Sequence, residues 1–179
     1  MPALSHRQYR EVFGFPVEDY YRRLGLDFDR EPYERIATEF IVEYDRRRFE
    51  CDLQPSAAAT LRAVASAGVT QSILSAYQQE SLQEAVEFYG LGCFFERLIG
   101  LGDPYANGKA GQGQRLLREL EADPAEVLLV GDTTHDYEVA IDLGVDCVLV
   151  PAGHHDRTRL VSCGVPVVAS LAEIGERLG

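Results

Sequence analysis

Residues 126–144, EVLLVGDTTHDYEVAIDLG, decide how the rest of the sequence is interpreted. Residues 127–130 form a short continuous apolar run, which is typical of a strand buried on both faces. Asp132 and Asp136 follow this run, and apolar residues at helical spacing then lead to Gly144, which suits the end of a helix. The stretch therefore predicts a strand followed by a helix, with two carboxylates at the carboxyl end of the strand.

Asp132 and Asp136 allow two chemical interpretations. The carboxyl ends of parallel strands are where open α/β sheets bind ligands. Two carboxylates without a basic neighbour in sequence favour a hard cation, above all Mg²⁺, which prefers oxygen ligands and phosphate co-ligands. The alternative is a capped helix, with Asp132 as the N-cap and Asp136 as an exposed acid of the first turn. The spacing alone leaves both interpretations open.

The composition of the chain excludes some classes of partner. The 179 residues carry a formal net charge of −12, which argues against nucleic acid or an anionic membrane as the main partner. No apolar run reaches transmembrane length, and the N-terminus lacks the apolar stretch of a signal peptide. Four widely spaced cysteines predict free thiols in a cytoplasmic protein, at positions 51, 93, 147 and 163.

The N-terminal part of the chain predicts helices and no strand. Ser5 with Gln8 forms a capping-box pattern, and Pro16 and Pro32 stand where the next two helices begin. The third helix is expected to turn its apolar face inward, with Ile36, Phe40, Ile41 and Tyr44 on that face. The composition changes at residues 52–55, which we interpret as a linker. We therefore predict a helical region over residues 1–52 and a separate core over residues 53–179.

From residue 55 onward, predicted strands and helices alternate. Strands are expected at residues 69–75, 98–101, 127–130, 147–150 and 165–169, and helices at residues 57–67, 81–89, 109–120, 136–143 and 171–178. This alternation predicts parallel pairing, right-handed crossovers and an α/β fold with a doubly wound parallel sheet.

Ser75 and Lys109 are further candidates for the site. Ser75 ends its predicted strand, so its hydroxyl, beside the backbone N–H of Ala76, can hold a phosphate oxygen. The same serine can instead cap the next turn. Lys109 begins a predicted helix, which is an unfavourable place for a positive charge. It can reach a phosphate or a carboxylate over the site, or be an exposed surface lysine.

Histidines near the acidic residues offer weaker candidates. His154, His155 and Asp156 follow one another, but adjacent histidines rarely face one metal together. A polar loop cap is therefore favoured over a zinc site. His135 lies inside the acidic turn and is a weak candidate for contact with substrate or solvent.

Three of these segments together resemble a known family. Ser75 after SIL, Lys109 in GKAGQG and GDTTHD at residues 131–136 are similar, in this order, to the second, third and fourth motifs of the haloacid dehalogenase (HAD) superfamily. The helical N-terminal part, with GFPVEDYYRRLG, looks like the inserted cap of the phosphoglycolate phosphatase-like branch. The resemblance extends from Leu4 to the C-terminal end.

The resemblance implies a HAD-like core with an N-terminal helical cap, and hydrolysis of a small phosphorylated metabolite. In family phosphatases an aspartate attacks the phosphomonoester and forms an aspartyl-phosphate, which water hydrolyses. By resemblance, Ser75 and Ala76 would hold phosphoryl oxygens and Lys109 would neutralise charge between nucleophile and phosphate. Asp132 would hold Mg²⁺, with Asp136 assisting through water.

One motif of the family has no match in this chain. The first motif is an apolar strand that ends in D-x-D-G-T and carries the nucleophile. Asp27 and Asp29 give D-x-D, but a charged segment precedes them and Arg30 and Glu31 stand where Gly-Thr belongs, so we interpret this segment as a helix end plus a loop. Because the first strand is central in the family, we expect two exposed strand edges, which favour a homodimer through those edges.

Two hypotheses follow, and a third is weaker. The first is a magnesium-dependent phosphomonoesterase whose first strand is encoded upstream, so that the chain alone is truncated and inactive. The second is a non-catalytic relative that keeps a phosphate and Mg²⁺ cradle and acts as a binding module. The third is a receiver-like α/β domain, against which the helical lead-in and Lys109 count. The upstream reading frame distinguishes the first two.

Overall fold

The computed structural model describes residues 4–102 and 109–177, without the side chains of residues 109 and 110. The chain forms two compact units, Met1–Asp52 and Leu53–Gly179. None of the helices within the described ranges is both long and apolar enough to cross a membrane.

The first unit is helical, as predicted. Its elements are α1 (His6–Val12), α2 (Val17–Arg23), α3 (Tyr33–Arg47) and a 3₁₀ turn (Arg48–Glu50). The predicted capping box is confirmed, because Ser5 Oγ accepts the Gln8 N–H at 3.3 Å and Gln8 Oε1 accepts the Ser5 N–H at 2.9 Å. Pro16 and Pro32 are the N-caps of α2 and α3. The local start signals are therefore confirmed.

Aromatic side chains form the interior of this unit. Phe13 and Tyr20 are buried, and their ring centroids lie 5.1 Å apart. Tyr9 contacts both rings, at 5.0 Å from Phe13 and 6.2 Å from Tyr20. Such edge and tilted contacts between aromatic rings stabilise a small core beyond the area they bury.

The prediction that the apolar face of α3 is buried is wrong. Phe40 is 58% exposed, and Ile41 and Tyr44 are also exposed. No residue of α3 is buried. Helical periodicity identifies an apolar face, but it does not reveal whether another element covers that face.

The second unit alternates helices and strands. Its elements are α4 (Ala57–Ser66), β1 (Ser72–Gln78), α5 (Gln79–Phe88), β2 (Arg97–Leu101), α6 (Lys109–Leu120), β3 (Leu128–Gly131), α7 (Thr134–Leu143), β4 (Asp146–Leu149), α8 (Arg157–Val161) and α9 (Leu171–Glu176), with 3₁₀ turns at Gly92–Phe94 and Pro124–Glu126. The predicted α/β alternation is confirmed. Helix α8 was not predicted, and the strand expected at residues 165–169 is reduced to one bridge between Leu149 and Val167.

The strands pair in parallel, but in two halves. β1 pairs with β2, and β3 pairs with β4. Parallel pairing confirms the expectation, and the described strands form two half-sheets of two strands each. Within residues 4–102 and 109–177, β1 and β3 each have one strand partner, so each keeps an unpaired edge.

A glutamine side chain extends the first half-sheet where its backbone ladder breaks. The pairing register of β1 and β2 shifts after Leu74. Beyond that point Gln79 Oε1 accepts the Gly100 N–H at 2.6 Å, and Gln79 Nε2 donates to the Leu98 carbonyl at 3.0 Å. A Cβ at Gly100 would lie 2.7 Å from the Tyr77 carbonyl oxygen, so this close approach requires glycine.

In the second unit, β4 is more deeply buried in the core than β3. Leu149 of β4 and Leu160 of α8 are fully buried in one cluster. In β3, by contrast, Leu128 is 50% exposed and Val130 is 41% exposed. The expected burial of this run on both faces is therefore wrong.

Candidate active site

The acidic turn after β3 begins helix α7 with a capping box. Thr133, and not Asp132, is the N-cap residue, because Thr133 Oγ1 accepts the Asp136 N–H at 3.1 Å. In return, Asp136 Oδ2 accepts the Thr133 N–H at 3.0 Å. The helix thus begins two residues before the predicted start at Asp136.

Asp136 holds this turn together from inside. Asp136 is only 4% exposed. Its Oδ2 also accepts hydrogen bonds from the Asp132 N–H at 3.0 Å and from the Thr133 hydroxyl at 2.8 Å. A Cβ at Gly131 would lie 2.3 Å from the Asp136 Cβ, so glycine is needed there. Asp136 is therefore a buried cap and not an exposed acid, and it positions Asp132.

Asp132 presents its carboxylate to a surface cavity. Its Oδ2 accepts the His154 N–H at 2.7 Å, and a Cβ at Gly153 would lie only 1.9 Å from the same oxygen. The cavity has a volume of about 270 Å³. Its lining consists of Gln54, Val130, Gly131, Asp132, Val150, Ala152, Gly153, His154 and Leu171.

The loop after β4 completes this side of the site. His155 is buried, at 1% exposure, and its Nδ1 accepts the Thr134 N–H at 3.0 Å, which caps the first turn of α7. Asp156 caps α8 by accepting the Arg159 N–H at 2.9 Å. The interpretation of this loop as a polar cap is therefore confirmed for His155 and Asp156. No cluster of three metal-binding side chains occurs in the described part of the chain.

Ser75 adopts the turn-capping role that was the alternative to phosphate binding. Its Oγ accepts the Tyr77 N–H at 3.1 Å. Ser75 lies inside β1 and not at its end, at the point where the ladder to β2 breaks after Leu74. Ala76 beside it is exposed. A hydroxyl that accepts one hydrogen bond can still donate another, so a phosphate oxygen remains a chemically suitable partner.

The other predicted residues have different outcomes. Lys109 is the first residue of α6, as expected, and its side chain lies outside the described residues. His135 Nδ1 lies 3.1 Å from Glu138 Oε2 on the same helix. Asp27 Oδ1 accepts the Asp29 N–H at 3.0 Å in an exposed turn after α2, which confirms a helix end and loop there.

The structure brings some of the predicted site residues together and separates others. Asp132 contacts the loop that carries His154 and His155, although these residues are distant in sequence. Ser75 lies on the other half-sheet. Sequence reasoning missed Thr133 as the cap and Gly153 beside Asp132. The signal for Thr133 was the pattern of threonine followed three residues later by an acid.

The donor set around Asp132 suits a hard cation. Mg²⁺ is typically held by one or two carboxylates and keeps several waters and phosphate oxygens as further ligands. Asp132 provides one carboxylate at a cavity wall made partly of glycine backbone. Asp136 provides a second carboxylate, with one oxygen already engaged in the cap.

A family model described as haloacid dehalogenase-like hydrolase matches residues 1–150. The chain belongs to this family. It is 26% identical over 163 residues to a phosphoglycolate phosphatase of Synechococcus elongatus, covering 89% of this chain and 73% of that protein. It is 24% identical to the tyrosine-protein kinase PtkA of Mycobacterium tuberculosis, covering 94% of this chain and 58% of the kinase.

Solved structures share the fold of this HAD-like chain. A haloacid dehalogenase-like hydrolase from Streptococcus pneumoniae superposes with a TM-score of 0.82 at 18% identity, covering 99% of this chain and 83% of that one. The structure of PtkA from Mycobacterium tuberculosis gives a TM-score of 0.81 at 22% identity, covering 100% of this chain and 83% of that one. The expected HAD-like α/β fold is therefore confirmed.

Proposed function

We propose that this HAD-like chain carries the phosphate- and cation-binding part of a magnesium-dependent phosphatase that acts on a small phosphorylated metabolite in the cytoplasm. The observation that carries the proposal is the Asp132 carboxylate, which lies directly after β3 and lines a cavity. The relative named phosphoglycolate phosphatase supports a phosphate ester as the substrate class.

Each residue of the proposed site has a distinct task. Asp132 holds the cation, and Asp136 orients Asp132 by capping α7. The Ser75 hydroxyl and the Ala76 N–H bind phosphoryl oxygens, and Lys109 neutralises charge on the transferring phosphoryl group. When bound, Mg²⁺ supplies Lewis-acid stabilisation of phosphoryl oxygens.

The attacking aspartate that the family uses has no counterpart among residues 4–102 and 109–177. Asp27 and Asp29, the only D-x-D pair near the N-terminus, lie in a turn of the helical unit. Loss of a nucleophile typically lowers the rate by a factor of order 10⁶. We therefore expect this chain alone to show no Mg²⁺-dependent hydrolysis of p-nitrophenyl phosphate.

Cation binding tests the proposal without requiring turnover. We expect Mn²⁺, used as a paramagnetic probe for Mg²⁺, to bind the chain and to be displaced by Mg²⁺ in electron paramagnetic resonance titrations. Asp132→Asn should weaken this binding about tenfold or more, because it removes the carboxylate charge. The matched control is Asp142→Asn, at an exposed position of α7, which should leave binding unchanged.

Two results contradict the proposal. Equal binding by Asp132→Asn and by the unchanged chain removes Asp132 as a cation ligand. Robust hydrolysis of p-nitrophenyl phosphate that Asp132→Asn abolishes would identify a nucleophile within this chain, and would contradict the expected inactivity.

A non-catalytic binding protein is the second candidate. The observation that favours it is the use of Asp136 Oδ2 and Ser75 Oγ in structural hydrogen bonds. This candidate predicts binding of Mn²⁺ and orthophosphate, and no hydrolysis even when an aspartate-bearing first strand is fused to the N-terminus. Hydrolysis by the fused chain supports the phosphatase.

A further inference from the structure

The turn after β3 and the loop after β4 are fastened to each other on both sides of Asp132. Before this residue, the Gly131 carbonyl accepts the Val150 N–H at 2.8 Å. After it, the Thr134 N–H donates to Nδ1 of His155 at 3.0 Å. Asp132 therefore lies between two attachments, and the loop cannot move away from the turn without breaking at least one of them.

His155 is also held from the other side of the loop. Asp156, the next residue, caps α8 by accepting the Arg159 N–H at 2.9 Å, and Leu160 of that helix is fully buried. The His155 ring itself is in a residue that is 1% exposed. A ring packed this tightly has little room for another rotamer. The imidazole therefore holds the loop at one distance from the turn.

The hydrogen bond to the imidazole defines which ring nitrogen does the work. A peptide N–H can only donate, so Nδ1 of His155 must accept and carries no hydrogen. The donor is the N–H of Thr134, the first residue of α7, which has no acceptor within its own helix. The ring thus serves the Thr134 N–H as the Thr133 hydroxyl serves the Asp136 N–H.

The loop that His155 holds is the one that contacts the carboxylate of Asp132. Asp132 Oδ2 accepts the N–H of His154, the residue before His155, at 2.7 Å. The same oxygen lies so close to Gly153 that a Cβ there would be 1.9 Å away. A small displacement of the loop would either lengthen this hydrogen bond or press the loop backbone against the carboxylate. The position of the carboxylate therefore depends on where His155 places the loop.

We propose that His155 is a positioning residue for the cation site. Through Nδ1 it sets the distance between the loop and the turn, and it thereby fixes the Asp132 carboxylate in the orientation that binds the ion. This inference rests on the proposed function, in which Asp132 is the cation ligand. His155 acts through the backbone of its neighbour His154 and needs no contact with the ion. Groups that orient a metal-binding side chain typically contribute about 10–100-fold to metal affinity.

Two substitutions of His155 distinguish its two ring nitrogens. In His155→Asn the amide oxygen is attached to Cγ and can take the place of Nδ1 as an acceptor. In His155→Gln the amide oxygen lies one carbon farther out, near the place of Nε2. We therefore expect His155→Asn to keep the hydrogen bond from the Thr134 N–H and His155→Gln to lose it. His155→Leu keeps a side chain of similar size and removes every acceptor.

Two readouts on the full chain test the proposal, and circular dichroism checks that each variant is folded. The first is amide hydrogen exchange of the His154 N–H, followed by nuclear magnetic resonance without metal. Its protection by Asp132 should fall about tenfold or more in His155→Leu and His155→Gln, and stay within about twofold in His155→Asn. The second is the Mn²⁺ affinity in electron paramagnetic resonance titrations, which should follow the same order. His6→Leu, at an exposed position of α1, is the control and should change neither readout.

Three results would overturn the role of His155. They are equal exchange of the His154 N–H in the asparagine and glutamine variants, Mn²⁺ affinities that do not follow the exchange rates, or an asparagine variant that does not fold. If the leucine and glutamine variants fail to fold, unchanged values in His155→Asn support the role and altered values overturn it. If the unchanged chain binds no Mn²⁺, the proposed function is contradicted, while the exchange of the His154 N–H still tests whether His155 positions Asp132.

Discussion

At the scale of single residues, the site is built from backbone contacts more than from side-chain pairs. Asp136 accepts two backbone N–H groups, Asp132 accepts that of His154, and His155 accepts that of Thr134. These donors are fixed by the chain itself, and removing an acceptor is most costly at Asp136, where the Thr133 N–H is buried.

Asp136→Ala should destabilise the fold strongly. Three donors lose their acceptor in a buried turn, so we expect the free energy of unfolding to fall by about 2–3 kcal/mol. Asp142→Ala, at an exposed position of the same helix, should change it by less than about 0.5 kcal/mol. Urea denaturation followed by circular dichroism measures both. Similar losses for the two variants would show that the cap contributes little.

Gly153→Ala should disturb Asp132 without unfolding the chain. The added methyl group would lie 1.9 Å from the present position of Asp132 Oδ2, so the carboxylate must rotate away from the His154 N–H. We expect Mn²⁺ affinity to fall about tenfold, which corresponds to ~1.4 kcal/mol. Gly92→Ala, where a Cβ meets nothing within 4 Å, is the control. Unchanged affinity in Gly153→Ala would argue against this carboxylate position.

At the scale of elements, local signals predicted most helix and strand positions. The capping box of α1, the start of α6 and the positions of β2, β3 and β4 were readable because cap residues and apolar runs act over a few residues. Helix α8 was missed because five residues carry too little periodicity. The strand at residues 165–169 was overpredicted, since its pairing depends on a single contact between Val167 and Leu149.

The arrangement of the site was less predictable than its elements. Asp132 was found because it directly follows an apolar run. Its contact with His154 and the contact of Thr134 with His155 join residues more than twenty positions apart. Such contacts depend on how β3 and β4 lie side by side, which spacing within one segment does not encode.

The burial of β4 predicts the reactivity of its cysteine. Loss of hydration, with the nearby Asp136 carboxylate and Cys163 as smaller causes, raises the pKa of Cys147 from 9.0 to about 11. At pH 8 it should hold about a hundredfold less thiolate than an ordinary cysteine. We expect the exposed Cys93 to react quickly with 5,5′-dithiobis(2-nitrobenzoate), and Cys147 only after unfolding. Equal labelling rates, resolved by mass spectrometry, would contradict this.

The same pKa shift has a consequence for stability against pH. The folded chain binds the Cys147 proton more tightly than the unfolded chain does, so this contribution is fully present below pH 9 and is lost as pH rises toward about 11. Cys147→Ala should therefore flatten the alkaline decline of the unfolding free energy. If the unfolding free energy of Cys147→Ala falls with pH as steeply as that of the unchanged chain, groups other than Cys147 cause the decline.

At the scale of the whole molecule, each compact unit has its own interior. The aromatic cluster of Tyr9, Phe13 and Tyr20 lies within residues 1–52, and both aliphatic clusters lie within residues 53–179. The four cysteines, all in the described ranges, are thiols and not disulfides, as predicted, so no disulfide between them stabilises either unit.

A fragment of residues 53–179 should fold without the helical unit. Its clusters around Leu149 and Val150 need no residue from the first unit. We expect a single cooperative urea transition and native-like far-ultraviolet circular dichroism. A transition that is broad, or absent, would show that residues 1–52 are required for the second core.

The contact between Asp132 and residue 154 has a consequence for sequence drift. The aspartate is met by a peptide N–H, a group that nineteen of the twenty amino acids supply equally well. Histidine at 154 is therefore not needed for this contact, and substitutions there can accumulate without releasing the aspartate. Proline is the exception, because its ring nitrogen has no hydrogen to offer.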